Sequence, residues 1–499
     1  MIEFLNGGYT FWDQTLLIEC LEELVGQETT RNIVVVPGAN RTPEEVNAKL
    51  SQYKQVLVII TSDEENKFDI DKLDHSDMKI WVSYPNLEKH RRADRFLPIG
   101  YPPDHRLLTY QDKTLDWFFA GQVNHGGREE LVTVLQELNN GFLLGTEGFS
   151  QGLDHQEYYD FVSKSKIIPS PGGPVSPDSF RLYEALETGD VPIPDNPDFW
   201  RLLFSEVPFP TVHSWIELAG HIDTWKDLPD KRNVVFAWWQ RQKRQIIYDL
   251  EDALGITRNL TVLIPTSPIP SHPSTKIIEQ TIDSVRERTN AEIILMIDGV
   301  RNEQANRNDD YINYKQHLLW LTNTRWKGIY PIVFESHQHQ ANMAREALKA
   351  VRTLNILYIE HDTPLTGEIP FQEILEKINS GKTNVVRLMH EANILEPHRY
   401  LMLDDESHNN YVRTAQWSQR PHFASTDYYK HIIDEHFPNT SRTMIEDKMH
   451  GVLMNDWQSR GQAGWNDHKV WIYTPPGDMK RSLNLDGRED DPKYDMIYE

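Results

Sequence analysis

Short and almost uninterrupted apolar segments recur along the first hundred residues, and they constrain the fold more than any other feature. Three examples are NIVVVPGA (32–39), KQVLVIITSD (54–63) and KIWVSYP (79–85). Strands without polar alternation are typical of parallel sheets, because helices cover both faces of such sheets. An amphipathic segment, TPEEVNAKLSQY (42–53), separates the first two, and its Thr42 and Glu45 form a capping-box pattern. The pattern predicts an α/β protein with a parallel, doubly wound sheet.

The bulk composition narrows the functional class. With 499 residues the chain exceeds a single ordinary core, and its net charge of −24 disfavours polyanionic partners over most of the surface. The single cysteine, Cys20, excludes an internal disulfide and indicates a reducing compartment. Neither a signal peptide nor a membrane-spanning segment is evident, so we expect a cytoplasmic protein with no membrane span.

Alternation of apolar and amphipathic segments predicts three units. The first covers residues 1–110. The second, 111–250, begins with the strand LDWFFAG (115–121) and closes with helices in 213–225 and 234–255. The third covers 255–499 and opens with a strand, a Pro/Ser-rich loop, a helix and a second strand, followed by an Asp-Gly turn.

The second unit contains a pattern suited to phosphate binding. The strand in KSKIIPSPGG (164–173) ends in a Pro/Gly/Ser loop, and a helix is predicted to begin near Ser179. Helix starts present free N–H groups to an anion. Arg181 and Glu184 share one face of that helix, so the arginine can hold a diphosphate and the glutamate can accept from ribose hydroxyls. An ordinary capped helix carrying a surface ion pair would show the same spacing.

These residues resemble a known enzyme family. FFAGQVNHGGREEL (118–131) and SFRLYEALETGDVPIP (179–194) look like the nucleotide-sugar half of exostosin-type glycosyltransferases. The resemblance implies GT-B architecture, in which two Rossmann-like units face each other, and it implies that Ser179, Arg181 and Glu184 bind the donor. Asp190 stands where the family often has cysteine.

The third unit has polar residues where two predicted strands end. In LTVLIPTSPIP (260–270) the strand would end at Thr266, and in AEIILMIDGVR (291–301) it would end at Asp298. Ligands of doubly wound sheets bind at the carboxyl ends of strands. The alternative for Asp298 is a common Asp-Gly connector. The pair of strands with a helix between them resembles the start of the GT-A fold of family 2 glycosyltransferases, which implies that Thr266 and Asp298 bind the donor.

A later strand carries the candidate metal ligands. YIEHDTPL (358–365) places Glu360 and Asp362 two residues apart, so both carboxylates of a continuing strand would lie on one face and His361 on the other. A solvated strand end is the alternative. The segment resembles the Asp-x-Asp motif of GT-A enzymes, with glutamate in the first position. The resemblance implies Mn²⁺ or Mg²⁺ bound to the donor diphosphate.

Further residues are assigned from the same resemblance. Glu446 and Asp447 look like the Glu-Asp pair at the start of a helix that lines the acceptor site, with Asp447 the favoured catalytic base and Glu446 the alternate. His450 or His468 could supply another metal ligand, although a lone histidine in a polar stretch is more often uninvolved. Residues expected to line the acceptor or donor pocket are Trp417, Gln419 and Arg420.

The sequence therefore predicts a GT-B type module followed by a GT-A domain. The expected activity is transfer of a sugar from a UDP-sugar to a hydroxyl acceptor, by default a saccharide, with inversion if family 2 behaviour carries over, and both modules could be active. An alternative acceptor is a hydroxymethylated base of viral DNA, which the net charge disfavours and which would have to be flipped out of the duplex. A second alternative is a non-catalytic carbohydrate-binding scaffold on transferase folds.

Overall fold

A computed structural model describes residues 2–7, 9, 11–105, 111–148, 151–404, 410–475, 477 and 479–485. The chain divides into two units, Met1–Thr257 and Arg258–Glu499. The described residues of the first unit contain two separate sheets, and those of the second contain one large sheet.

The first sheet is entirely parallel, as the apolar segments predict. Strand β3 is buried along its whole length, and β2 from its second residue onward. Helices α1 and α2 lie between strands of this sheet in the chain. The elements are β1 (Ile2–Phe4), α1 (Thr15–Glu22), β2 (Asn32–Pro37), α2 (Pro43–Leu50), β3 (Val56–Thr61), β4 (Met78–Ser83) and β5 (Arg95–Leu97).

The strand order of the first sheet differs from the prediction. The five strands lie side by side in chain order, β1-β2-β3-β4-β5. A doubly wound sheet requires a reversal of strand order, and this sheet has none. The apolar pattern reports burial on both faces of each strand, but it carries no information about which strands are neighbours.

The predicted capping box is confirmed. Helix α2 begins after Thr42, whose hydroxyl accepts a hydrogen bond from the backbone N–H of Glu45, and the Glu45 carboxylate accepts from the backbone N–H of Thr42. Val46 and Leu50 of this helix are fully buried beneath β2 and β3 in one apolar cluster.

The second sheet has the strand reversal that the first lacks. Its order is β7-β6-β8-β9, so β7 and β8 pair with opposite edges of β6. The carboxyl ends of β6 and β8 therefore flank a topological switch point, where open α/β sheets bind ligands. The elements are β6 (Leu115–Gln122), α3 (Arg128–Gln136), β7 (Gly141–Thr146), α4 (His155–Lys164), β8 (Ser165–Ser170), α5 (Phe180–Thr188) and β9 (Val191–Pro194).

Three helices complete the first unit. The longest, α8, packs against both α1 and α5, so it connects the layers of the two sheets. Trp239 of α8 is fully buried and donates a hydrogen bond to Glu187 at 2.6 Å. The helices are α6 (Pro197–Phe204), α7 (Leu218–Trp225) and α8 (Pro229–Leu254).

The second unit is built on an eight-stranded mixed sheet. Its order is β12-β11-β10-β13-β16-β14-β17-β15, with β10 to β13 parallel and β16 antiparallel to both of its neighbours. The strands are β10 (Leu260–Thr266), β11 (Glu292–Ile297), β12 (Ile329–Val333), β13 (Asn355–Tyr358), β14 (Val385–Arg387), β15 (Tyr411–Arg413), β16 (His422–Ser425) and β17 (Val470–Tyr473).

The strand order of the second unit also reverses, at β10. Strand β11 pairs with one edge of β10 and β13 with the other, so the carboxyl ends of β10 and β13 flank this switch point. The accompanying helices are α9 (Lys276–Arg286), α10 (Asn308–Thr324), α11 (His339–Ala350), α12 (Phe371–Asn379), α13 (Thr426–His436), α14 (Ile445–Arg460) and α15 (Gln462–His468).

Within the described part of the chain, none of the helices combines the length and the apolar character that crossing a bilayer requires.

The capping box of α2 generates a stability prediction. Replacement of Thr42 by Ala should lower the free energy of unfolding by about 1 kcal/mol, because the N–H of Glu45 loses its side-chain acceptor. Urea unfolding measures the change. The matched control is Thr133→Ala, an exposed position inside α3, where the substitution removes no cap. An equal loss of stability in both variants would contradict a capping role for Thr42.

Candidate functional site

A cavity of about 600 Å³ lies at the switch point of the second sheet. Residues at the carboxyl ends of β6 and β7 and in the loop after β8 line it, together with residues that follow strands of the first sheet. Ser179, Arg181 and Glu184, which the sequence assigns to donor binding, all lie in its wall. The fold therefore brings the three residues together at one cavity.

Arg181 is held in place by the end of β6. Its Nη2 donates to the carbonyl oxygen of Ala120 at 2.7 Å, and its guanidinium lies 4.8 Å from the ring centroid of Phe119. Gly121 allows this approach, since a Cβ there would come within 2.5 Å of Nη2. The Nε of Arg181 is buried without a hydrogen-bond partner among the described residues.

A second arginine, Arg128, lies in the same wall and was not singled out from the sequence. Its Nη1 donates to Gln122 O at 3.0 Å and its Nη2 to Gly172 O at 2.7 Å, while its Nε is buried without a partner among the described residues. Burial and the neighbouring Arg181 lower the pKa of Arg128 to about 10. Two guanidiniums held by carbonyl oxygens keep most of their positive charge available to an anion.

Glu184 is buried and oriented by two tyrosines. The hydroxyl of Tyr158 donates to Oε2 at 2.8 Å and the hydroxyl of Tyr159 donates to Oε1 at 3.0 Å. Each carboxylate oxygen keeps further lone pairs, so Glu184 can still accept from a ligand hydroxyl. Ser179 is the N-cap residue of α5, but its hydroxyl donates to Pro171 O at 3.3 Å and no side chain caps the helix.

Asp190 has no access to solvent and lies among structural contacts. It is fully buried, pairs with Lys113 and accepts from the Thr188 hydroxyl at 2.7 Å. Burial raises the pKa of Asp190 to about 6, even though Lys113 opposes the shift. These contacts connect the end of α5 to the segment that enters β6.

At the switch point of the second unit, Thr266 and Asp298 lie where the sequence predicts. The Thr266 and Tyr314 hydroxyls are 2.9 Å apart, and the backbone N–H of Asp298 donates to Thr266 O at 3.0 Å. The Asp298 carboxylate accepts from the backbone N–H groups of Gly299, Gln338 and His339 at 2.8, 2.6 and 3.1 Å. Asp298 therefore organises the start of α11, a contact that spacing in the sequence does not reveal.

Glu360 and Asp362 lie beyond the end of β13 rather than on it. The strand ends at Tyr358, and Thr363 N–H donates to Glu360 O at 3.1 Å, which makes residues 360–363 a turn. The expectation that a continuing strand places them on one face is therefore wrong. Both carboxylates are nevertheless half-buried while His361 is buried, and burial with nearby Asp362 and Glu446 raises the pKa of Glu360 well above its usual range.

One glutamine connects Glu360 to the predicted base segment. Gln340 of α11 donates to Glu360 Oε1 at 2.8 Å and accepts from the backbone N–H of Ile445 at 3.3 Å. Ile445 begins α14, so Glu446 and Asp447 occupy its first turn as predicted. Glu446 accepts from the Gln419 backbone N–H at 3.0 Å, whereas Asp447 is exposed.

Trp417 and Gln419 are less accessible than an acceptor-lining role suggests. Trp417 is 2 % exposed and packs against His422 and Tyr429 in the core behind Tyr358. Gln419 is 6 % exposed. Both residues belong to the loop that precedes β16, and the pairing of β16 with its neighbours draws this loop beneath the sheet.

Arg420 belongs to a cluster of charged side chains with Glu391 and Arg387. Its guanidinium pairs with Glu391 through two hydrogen bonds, one of them Nη2 to Oε1 at 2.7 Å. Arg387, at the end of β14, is buried nearby, and burial together with Arg420 lowers the pKa of Arg387 to about 9. Arg387 Nε and Nη1 have no hydrogen-bond partner among the described residues, and no sequence motif distinguishes this arginine.

The two histidines proposed as further metal ligands have different surroundings. His468 Nδ1 lies 2.8 Å from the Tyr428 hydroxyl and its Nε2 lies 2.7 Å from Asp456 Oδ2, so both ring nitrogens are engaged. His450 is half-buried on α14. Across the described residues, no group of three or more His, Cys, Asp or Glu side chains has the arrangement of a metal site.

Comparisons with known proteins give a distant likeness. No protein-family model and no curated protein sequence matches the chain. Among solved structures, S. aureus TarS 1–349 aligns at 14 % identity and a TM-score of 0.29 over 46 % of this chain and 60 % of that one, and a complex of it with UDP-GlcNAc gives 0.30. The mannosyltransferase PcManGT from Pyrobaculum calidifontis, bound to GDP-Man and Mn²⁺, aligns at 9 % identity with a TM-score of 0.29 over 44 % of this chain and 58 % of that one. Likeness at this level does not establish a shared fold.

Asp178, one residue before the N-cap of α5, is another cavity residue that sequence reasoning missed. It is 3 % exposed, and its carboxylate accepts from the Tyr183 hydroxyl at 2.6 Å and from the Ile99 N–H at 3.3 Å. Burial, opposed by these hydrogen bonds and reinforced by Asp13 and Glu64, raises the pKa of Asp178 to about 7.

This shift predicts a pH dependence of stability. Between the unfolded carboxyl pKa of about 3.9 and the folded value, the folded state binds more protons, so the free energy of unfolding falls as pH rises. The fall attributable to Asp178 is at most about 4 kcal/mol and should be absent from Asp178→Asn. Urea unfolding at a series of pH values measures the slope. Asp74→Asn, at an exposed position, is the control and should keep the wild-type slope. A wild-type slope in Asp178→Asn would contradict the assignment.

Proposed function

We propose that the protein is a nucleotide-sugar-dependent glycosyltransferase that uses a UDP-sugar donor. The observation that carries the proposal is the cavity at the switch point of the second sheet, with Arg128 and Arg181 in its wall. Neither guanidinium has a carboxylate within ion-pair distance among the described residues. Arg128 is buried and Arg181 half-buried, and cations in such positions without counter-charges favour an anionic ligand.

The remaining wall residues complement a nucleoside diphosphate. The N-terminus of α5 presents backbone N–H groups on the same side as Arg181, which suits a diphosphate. Glu184, fixed by Tyr158 and Tyr159, can accept hydrogen bonds from ribose hydroxyls. A volume of about 600 Å³ falls within the range of sites for small-molecule ligands.

The second unit supplies a candidate site for a divalent cation. Glu360 and Asp362 would hold Mn²⁺ or Mg²⁺; the fit is supported by the burial of the Glu360 carboxylate close to Asp362 and Glu446, which together raise its pKa. Mg²⁺ commonly takes one or two protein carboxylates and completes its shell with substrate phosphates and water, so two ligands suffice. A bound cation neutralises charge that develops on the diphosphate leaving group. His450 remains a proposed further ligand, whereas the engaged nitrogens of His468 offer no support for one.

The proposed transfer is a displacement at the anomeric carbon. An acceptor hydroxyl oxygen forms a bond to that carbon, the bond from the carbon to the UDP oxygen breaks with its electron pair, and UDP departs. Asp447 takes the hydroxyl proton in the second unit, and Glu446 and Gln340 position the helix start that carries it. Both units carry a candidate donor site, so we propose that the protein is bifunctional.

The first test addresses the cavity of the first unit. Arg181→Ala should weaken UDP binding by about tenfold or more, because a charge-assisted hydrogen bond is worth roughly 1.5–3 kcal/mol. Isothermal titration calorimetry with UDP measures the effect. The matched control is Arg201→Ala on α6, an exposed arginine of the same unit that should leave UDP affinity unchanged. Unaltered affinity in Arg181→Ala would remove this cavity as the donor site.

The second test addresses the carboxylates of the second unit. Asp362→Asn should abolish Mn²⁺-dependent release of UDP from a panel of UDP-sugars, because one of two ionic ligands is lost. Nucleotide release with and without Mn²⁺ is the measurement, and Asp309→Asn, exposed at the start of α10, is the control. Full metal-dependent turnover in Asp362→Asn would refute the metal assignment, and absence of turnover in the wild type with every donor would favour the non-catalytic scaffold.

A further inference from the structure

We propose that Trp12, Glu64 and Asp178 form a subsite for an uncharged saccharide where the loop after β8 meets residues that follow strands of the first sheet, and that this saccharide is the acceptor of a transfer in the first unit. The inference rests on the proposed function, since it assigns the acceptor side of the same cavity. All three residues line the cavity.

Trp12 is an exposed aromatic ring on a rigid support. Half of its surface is exposed, and its ring centroid lies 6.4 Å from that of Phe180, with the planes at 60°. The two residues that follow it are buried and anchored to the end of β3. Asp13 accepts from the Ser62 N–H and hydroxyl at 2.7 and 2.6 Å, and Gln14 donates to the Thr61 hydroxyl at 2.8 Å.

This arrangement suits a sugar ring. An exposed tryptophan with a fixed backbone offers a large apolar face without much loss of conformational freedom on binding. The Phe180 ring belongs to α5, whose N-terminus faces the proposed diphosphate site. A saccharide stacked on Trp12 would therefore lie next to the donor sugar.

Two carboxylates lie beside the aromatic rings. The Ser176 N–H donates to Glu64 Oε1 at 3.3 Å, and Asp178 is held by Tyr183 and Ile99 as described above. Ser176 connects the two acids, because its N–H donates to Glu64 and its hydroxyl accepts from the Asp178 N–H at 3.2 Å. Carboxylates accept hydrogen bonds from sugar hydroxyls, which are donors in every orientation of the ring.

The charge distribution of the cavity selects between acceptor classes. The lining residues contributed by positions 12–104 are Trp12, Glu64, Tyr84, Ile99, Pro102, Pro103 and Asp104. They include two acids and no lysine or arginine, whereas both lining arginines come from positions 120–184. Like charges placed together oppose binding, so a phosphorylated sugar or a DNA strand is disfavoured on this side.

The experiment measures acceptor binding separately from donor binding. Saturation-transfer-difference NMR is recorded with methyl β-glucoside, methyl β-galactoside and glucose 6-phosphate, and with a duplex oligonucleotide containing hydroxymethylcytosine, each with and without UDP. We expect signals from a neutral methyl glycoside and none from the phosphorylated sugar or the duplex at physiological ionic strength.

Variants locate the subsite. Trp12→Ala and Glu64→Gln should each weaken glycoside binding by about tenfold, while Trp12→Phe retains a ring and most of the affinity. The matched control is Glu65→Gln, an exposed neighbour of Glu64, which should bind the glycoside as the wild type does. Circular dichroism checks that each variant is folded. If Trp12→Ala does not fold, the glycoside affinity of Glu64→Gln decides the test.

Three results would overturn the inference: glycoside binding that survives both Trp12→Ala and Glu64→Gln, a preference for glucose 6-phosphate, or binding of the duplex. Failure of the wild type to bind UDP in calorimetry would instead overturn the proposed function. Because glycoside binding is also recorded without UDP, the two failures are distinguishable.

Discussion

Parallel pairing of strands is the constraint on which both candidate sites depend. It directs the carboxyl ends of the paired strands to the same edge of a sheet, and the chain then leaves each strand through a loop at that edge. In the second sheet the reversal at β6 opens a gap into which Arg181, Arg128 and Glu184 extend. In the second unit the reversal at β10 brings Thr266 and the turn at Glu360 to the same edge. The order of the apolar strands therefore determines where polar side chains can come together in a site.

Within each site, polar side chains are mostly held by backbone groups. Arg128 and Arg181 are positioned by carbonyl oxygens, and Asp298 by three N–H groups and by His337 Nδ1 at 2.8 Å. Carbonyl partners leave the charge of an arginine uncompensated, and in a buried setting that charge attracts an opposite one. The arginines of the first unit therefore favour an anion, and the acids around Glu360 favour a cation.

Local patterns in the sequence predicted local structure well. The capping box at Thr42, the strand end at Thr266 and the helix start before Glu446 all depend on residues within a few positions of one another. Strand order depends on long-range pairing, which periodicity does not encode, and the sequential order of the first sheet was therefore missed. The burial of Trp417 has the same origin, because β16 carries that loop under the sheet.

Candidate functional residues were harder to recognise where the neighbouring residues form no known motif. Arg128 follows two glycines at the start of a helix, a position typical of a surface residue. Its guanidinium nevertheless donates a hydrogen bond to Gly172 O in the loop after β8. Trp12 and Asp178 are far apart in the chain and meet only because the two sheets of the first unit enclose one cavity. The adjacent Gly126 and Gly127 were the signal for Arg128 in the sequence, since paired glycines mark a loop, and both adopt positive φ angles in the structure.

The amide of Gln340 has a mechanical consequence. Its nitrogen is bonded to Glu360 at the end of one strand and its oxygen to the first residue of α14. An amide group has a fixed width, so one side chain spans the distance between the turn at Glu360 and the start of α14. A movement of either element must carry the other with it or break one of the two bonds, and in the proposed mechanism α11 would connect stabilisation of the leaving group to removal of the proton.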